Sequence, residues 1–203
     1  GFTAAALDRT VVYDAALQSD GKVVGVGYAS PNGVTRLQVF RLLPNGSLDA
    51  SFGVGGLVLV ADPTNSDTSG HSVVVEPDGR IVVAAAKRGS GLLVVRLLAN
   101  GALEPGFGTS GVYVGSVVSE RAQRVVRAPG GGYRVMAIST SPPTACRVYG
   151  VTAAGTLDAG FGTGGVAVAT AEAQRQFACN SLAMDATGRL LLGGTSLGAG
   201  GDN

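Results

Sequence analysis

Tryptophan is absent, histidine occurs once, cysteine twice, and charged residues make up only 14% of the 203-residue chain. Each shortage removes a class. One histidine and two cysteines without a C-x-x-C spacing cannot complete a zinc site, so no metal is expected. Low charge together with 45% hydrophobic residues is the reverse of a disordered composition. Fifteen basic residues against fourteen acidic ones leave a net charge of +1, with no excess to hold nucleic acid or an anionic membrane. No apolar run reaches the roughly 18 residues of a membrane-spanning helix. Nor does any window carry apolar residues at helical spacing for three turns, so helix should be nearly absent. The chain opens Gly-Phe-Thr-Ala-Ala, without an initiator Met, a basic segment or an apolar leader, and reads as a processed product whose targeting segment is gone.

What is abundant is glycine, 33 residues, and it recurs in register. Three segments align: 45–56 (NGSLDASFGVGG), 100–111 (NGALEPGFGTSG) and 154–165 (AGTLDAGFGTGG). Their phenylalanines, Phe52, Phe107 and Phe161, stand 55 and 54 residues apart. A second anchor recurs in the same frame: Asp20-Gly21-Lys22, Asp78-Gly79-Arg80, Gly131-Gly132-Tyr133 and Thr187-Gly188-Arg189. The chain therefore reads as one repeat domain, 1–203, of approximate units 1–55, 56–110, 111–164 and a partial 165–203. Within the second unit, Leu57–Val60, Ser72–Glu76, Ile81–Ala85 and Leu92–Leu98 are short, β-branched and bounded by turn residues. Asp78-Gly79 supplies the positive φ of a tight hairpin. Near-continuous apolar strands such as Leu92-Leu-Val-Val call for burial on both faces. The expected fold is all-β: a β-propeller of about four 54-residue, four-stranded blades, the last incomplete. A β-solenoid is the other repeat architecture, with shorter coils and no internal meander.

The phrases ALQSDGKVVGVG (16–27) and FRLLPNGSLDASFGVGG (40–56) resemble the bacterial delta-60 repeat. VVEPDGRIVVAA with VRLLANGALEPGFGTSG follows as a further copy, and VTAAGTLDAGFGTGG as a weaker one. The resemblance covers essentially the whole chain. It implies a propeller-like fold in a secreted or surface-exposed bacterial protein, mostly without assigned activity. The third unit departs most, with Gly150 where Arg41 and Arg96 stand and with Pro142-Pro143 in the preceding loop.

Motifs with a chemical look yield to the repeat. The segments 106–111 and 160–165 satisfy G-x-G-x-x-G but lack the parallel strand and following helix of a dinucleotide site. Segment 194–198, around Ser196, fits G-x-S-x-G, yet neither a helix nor a later His follows to activate the serine. His71 aligns with Tyr13, Arg124 and Asn180 and reads as a solvent-facing residue at a strand start, with no orienting acid beside it. Arg41 and Arg96 interrupt apolar strands eight residues before Asp49 and Glu104, which suggests strand-to-loop ion pairs, with ligand binding as the sharper alternative. Asp62, Asn65 and Asp67 form an oxygen-rich loop without a calcium-loop order, and Asn45-Gly46-Ser47 matches a glycosylation acceptor only through the repeated turn.

These readings define the expected site residues. The three phenylalanines should be buried plugs between blades, and Arg41 and Arg96 structural. Cys146 and Cys179 could form a disulfide or remain buried thiols. Aligned on the turns, Cys146 begins the fourth strand of one unit and Cys179 the second strand of the next, so both could lie near one rim. Counted by the repeat, the first strand occurs four times (from Phe2, Leu57, Val112 and Val166) but the fourth only three times, leaving 190–192 as an apolar edge. The expected function is a non-catalytic extracellular or cell-surface module for protein interaction or scaffolding, without a cofactor. Its partner would be another protein, or further copies of the same precursor joined by strand addition. Two rivals stand beside it: a structural subunit completed by strand exchange, and a ligand-binding or enzymatic propeller with its site at the central channel.

Overall fold

The computed structural model describes residues 10–60, 67–88, 91–117, 119–139, 146–169 and 176–197. These form an all-β propeller architecture of four-stranded antiparallel sheets, with one short 3-10 turn at Pro31–Gly33. The first sheet holds β1 (Thr10–Leu17), β2 (Val23–Ala29), β3 (Arg36–Leu42) and β4 (Leu57–Val60) in chain order. The second holds β5 (Thr68–Val75), β6 (Ile81–Lys87), β7 (Gly91–Leu97) and β8 (Val112–Val114). The third holds β9 (Glu120–Arg127), β10 (Tyr133–Ser139), β11 (Cys146–Val151) and β12 (Val166–Ala169). The fourth, among the described residues, is the pair β13 (Gln176–Met184) and β14 (Leu190–Leu197). Among these residues no helix is long and apolar enough to cross a membrane.

Strand alternation explains why the middle strands are apolar throughout. Ile81, Val83 and Ala85 of β6, with Leu93, Val95 and Leu97 of β7, pack on Val24, Val26, Leu37 and Val39 of the first sheet. The alternate residues Val82, Ala84, Leu92 and Val94 pack the other way, on Val125, Val135, Tyr149 and Val151 of the third sheet. A sheet held between two neighbours thus has no polar face. A third layer joins Met136, Cys146 and Val148 to Cys179 and Leu182 of the fourth sheet. The first strands β1, β5, β9 and β13 lie side by side in sequence order along the inner side of the sheets.

The sheets are out of phase with the sequence units. Leu57–Val60, expected to open the second unit, is instead the fourth strand of the first sheet, with Leu37 opposite Val60 and Phe40 opposite Leu57. Val112–Val114 and Val166–Ala169 shift in the same way. The cause lies in the glycine-rich loop: Arg41 N donates to Gly56 O (3.0 Å) and Asp49 N to Arg41 O (2.9 Å), folding the chain back onto the strand it has just left. The Phe loop therefore connects strands within one sheet. The copy counted from Phe2 lies outside the described residues.

Candidate functional site

Two constellations recur from sheet to sheet, one at the Phe loop and one on the inner strands. At the first loop, Arg41 Nε pairs with Asp49 Oδ2 (2.8 Å), and its guanidinium lies 4.6 Å above the Phe52 ring. Its Nη1 reaches into the next sheet to donate to Ala99 O (2.5 Å). Arg96 repeats this with Glu104 (2.6 Å), Phe107 (4.5 Å) and Ala153 O (2.6 Å). It also donates to the Tyr133 hydroxyl (3.2 Å), which in turn donates to buried Glu76 (2.8 Å). Each arginine is thus a strand-to-loop pair and a clamp between neighbouring sheets. Phe52 and Phe107 are fully buried, whereas Phe161, expected to be a third buried plug, is only half-buried.

The third loop lacks the strand arginine but keeps the cation. Arg134 of β10, opposite Gly150 in register, lies 3.2 Å from Asp158 and 4.3 Å above Phe161. The sequence reading missed this replacement, because Arg134 is sixteen residues away along the chain and adjacent only through strand pairing. Cys146 and Cys179 form a disulfide with Cα atoms 5.8 Å apart. Cys146 opens the third strand of its sheet and Cys179 sits within the first strand of the next, one strand earlier in each sheet than the repeat frame placed them.

Every inner strand carries a bulge. The pairing slips at Tyr13 in β1, His71 in β5, Gln123 in β9 and Asn180 in β13. Each stands eight residues before the positive-φ glycine of its hairpin, Gly21, Gly79, Gly131 or Gly188. The third member is Gln123 rather than Arg124: the closing contact is Gly131 N to Ala128 O, so Gly131, not Gly132, is the equivalent turn glycine. A bulge turns one side chain out of the pleat, and bulges at the same height on adjacent strands bring such side chains together. His71 is accordingly a mid-strand, half-buried residue and not the exposed strand end that was expected. Its ring stacks on Tyr13 (5.0 Å between centroids, 15° between planes), and Nε2 lies 2.9 Å from Ser69 Oγ. Burial, then Arg121 and Arg124, depress its pKa from 6.5 to about 4, so the imidazole is neutral at pH 7.

Tyr13, Ser69, His71, Lys87, Arg88 and Arg121 line a cavity of about 420 Å³, with Asp67 and Glu120 also on its wall. Both carboxylates are engaged. Asp67 accepts from Thr35 N (2.9 Å) and Arg88 (3.3 Å), which hold it below the usual carboxylate range. Glu120, 2% exposed, takes hydrogen bonds from Arg147 and the Tyr149 hydroxyl. With Arg88 held by Asp67, the cavity presents a flat aromatic wall beside Arg121, an arrangement suited to an anionic group.

The other sequence motifs do not join this site. Ser196 lies within β14, so the G-x-S-x-G segment forms no strand-to-helix elbow there, and Gly198 falls outside the described residues. Both G-x-G-x-x-G segments form loop turns returning to their own sheets. Asp62, Asn65 and Pro142-Pro143 lie outside the described residues.

Fold and repeat together define a protein of the β-propeller class. A family model described as "Domain of unknown function (DUF5122) beta-propeller" matches residues 18–52 and 76–107, each span running from the inner hairpin turn to the loop phenylalanine. No curated protein matches the chain. Among solved structures it is similar to "the structure of Pseudomonas aeruginosa Periplasmic gluconolactonase, PpgL", at 16% identity and a TM-score of 0.49, over 89% of this chain and 50% of that one. The chain spans about half the length of that structure.

Proposed function

We propose that the chain is a non-catalytic, exported β-propeller module of the delta-60 repeat type, serving in protein interaction or scaffolding and needing no cofactor. The observation that carries this reading is the Tyr13–His71 stack, raised on paired bulges and flanked by Arg121. An imidazole with a pKa of about 4 is a poor general base near neutrality, which favours recognition over proton transfer. The cationic rim favours an acidic segment of a protein partner. Export is supported by the Cys146–Cys179 disulfide, a bond that persists in oxidising compartments. Titration calorimetry with a hexaglutamate peptide tests the site: binding should weaken with salt and be lost in Arg121→Glu. An absence of binding, or an unaffected variant, refutes it.

One observation favours a second reading, a ligand-processing propeller: Ser69 Oγ stands 2.9 Å from His71 Nε2, a nucleophile–base spacing. Under that reading a fluorophosphonate probe labels the native protein at Ser69, and Ser69→Ala abolishes the label. An unlabelled native protein removes it. The structural-subunit reading rests on β14, which pairs only with β13 among the described residues and exposes 56% of Leu191.

A further inference from the structure

Two positions of the repeat hold arginine on β9 and on none of the other inner strands. Strand register aligns Arg121 with Val11, Ser69 and Ala178, and Arg124 with Asp14, Ser72 and Ser181. In the first two sheets the second of these positions ties one inner strand to the next. Asp14 Oδ2 accepts from Val73 N (2.9 Å), and Ser72 Oγ from Val125 N (3.3 Å). Arginine has no acceptor atom, so Arg124 gives up that tie and turns its Nη1 to Gln123 O (2.9 Å) and His71 O (3.4 Å). A cation placed where the repeat uses an acceptor breaks the local rule of the fold, which is the mark of a residue kept for another purpose.

The bulge at Gln123 sets the two arginines side by side. Three residues apart, they would point to opposite faces of a regular strand. The bulge absorbs one residue, so Arg121 stands opposite Ile138 and Arg124 opposite Met136, two places apart on β10 and on one face of the sheet. Both lie close enough to His71 to depress its pKa. Among the described residues neither guanidinium meets a carboxylate. The acidic groups around them are committed elsewhere: Asp14 to Ala15 N and Val73 N, Glu120 to Arg147 and Tyr149, Asp67 to Thr35 N and Arg88. Arg121 is exposed, whereas Arg124 is half-buried and held by its two carbonyls.

We propose that this face of β9 receives an extended acidic segment of a partner protein whose carboxylates alternate with neutral residues, one on Arg121 and the next on Arg124. The proposal rests on the interaction-module reading above and gives that partner a sequence pattern, Glu or Asp at every second position. A two-place step along an extended chain is about 7 Å, and it returns the side chain to the same side. Alternate carboxylates of the segment therefore match the step between the two arginines. Each guanidinium takes one carboxylate through its planar fork, and Arg124, already anchored, has less freedom to lose in doing so. Adjacent acidic residues send their carboxylates to opposite sides of the segment and reach one arginine at a time.

Two peptides of equal composition and charge read the pattern: Glu-Ser-Glu-Ser-Glu-Ser-Glu and Glu-Glu-Ser-Ser-Ser-Glu-Glu, each titrated by calorimetry against the 203-residue chain. The alternating peptide should bind about three- to fivefold more tightly, the effect of one further exposed ion pair. Arg124→Ser restores the residue of the second and fourth inner strands. It should keep the melting temperature, still bind both peptides through Arg121, and lose the preference. Equal affinities in the wild-type chain overturn the proposal whether or not the variant folds, and so does a preference that survives Arg124→Ser. Hexaglutamate contains both spacings and reads the interaction-module assignment separately. Hexaglutamate binding with equal affinities for the two peptides removes only the pattern, while no binding of any of the three removes both.

Discussion

Arg134 stands directly across the β10–β11 pair from Gly150, and the two exchange the roles that Arg41 and Arg96 fill alone in the preceding sheets. A Cβ on Gly150 would come to 2.7 Å from the Phe161 Cβ, so no side chain fits there, and the guanidinium reaches Asp158 and Phe161 from the adjacent strand. The cation over the ring persists although its position in the repeat has changed.

The three clamps differ in burial, and their energies should differ accordingly. Arg41 and Asp49 each expose 7% of their side chains, whereas Arg134 and Asp158 expose 17% and 32%. Removing one partner of a buried pair strands the other charge, so Arg41→Met should cost about 3–5 kcal/mol. Arg134→Met leaves a partly hydrated Asp158 and should cost only about 1 kcal/mol. Urea unfolding of both variants checks the ordering, and equal losses would contradict it.

Phenylalanine truncation should follow the same gradient. Phe107 is fully buried between its own arginine and the turn at Gly155, so Phe107→Ala should cost about 3–5 kcal/mol. Phe161→Ala should cost less than half of that, because part of its ring already faces water. A thermal or urea series over the two variants measures the difference.

Reduction of the disulfide should act on the end of the fold it joins. The Cys146–Cys179 bond spans 33 residues and ties β11 to β13. A cross-link of that span stabilises by roughly 3–4 kcal/mol in the chain-entropy account. Cys146→Ala/Cys179→Ala should therefore lose about that much, with hydrogen exchange accelerating first in β13 and β14. Unchanged exchange in those strands would show that the apolar packing of Met136 and Leu182 holds them unaided.

Four-strand units, their turns and the all-β class were legible in the sequence because each is a local signal: an Asp-Gly pair, a β-branched run, a glycine-flanked phenylalanine. The phase of the sheets was not. A short run such as Leu57–Val60 looks the same whether it opens one sheet or closes another, and only the long-range pairing of Leu37 with Val60 decides. Arg134 was hidden for the same reason, since its partner lies across a strand pair. The equivalence of Tyr13, His71 and Asn180 was visible, though not that these positions are bulges, and in the third unit the successive glycines Gly130, Gly131 and Gly132 blur the turn and shift the alignment by one residue, from Gln123 to Arg124. The half-burial of Phe161 has no sequence signal of its own: its motif matches the other two, and its exposure reflects what covers it.

His71 gives the inner-strand site a pH dependence with a defined sign. Its folded pKa, about 4, lies below the ordinary 6.5, so the folded protein binds fewer protons than the unfolded chain between those values. The contribution of the neutral ring is complete above pH 6.5 and is lost as pH falls toward 4. Solvent screening of this half-buried ring limits it to about 1–2 kcal/mol. Imidazole NMR should give a midpoint near 4, and His71→Phe should flatten the stability profile over that window. A midpoint near 6.5 would contradict the burial and the influence of Arg121 and Arg124.

Ser110 is the one described non-glycine residue with positive φ, at 52°. Its counterparts in the other two Phe loops are Gly55 and Gly164, at 62° and 58°, so the loop holds the same conformation in all three sheets with a side chain in only one. Left-handed backbone costs an L-residue roughly 1–2 kcal/mol, while glycine adds about 0.4–1 kcal/mol of unfolded-state entropy. Strain relief exceeds the entropy cost, so Ser110→Gly should stabilise the protein by about 0.5 kcal/mol. Near this chain length, that raises the melting temperature by about 1–2 °C. A lowered melting temperature would mean that the exposed Ser110 side chain makes a favourable contact that outweighs its backbone strain.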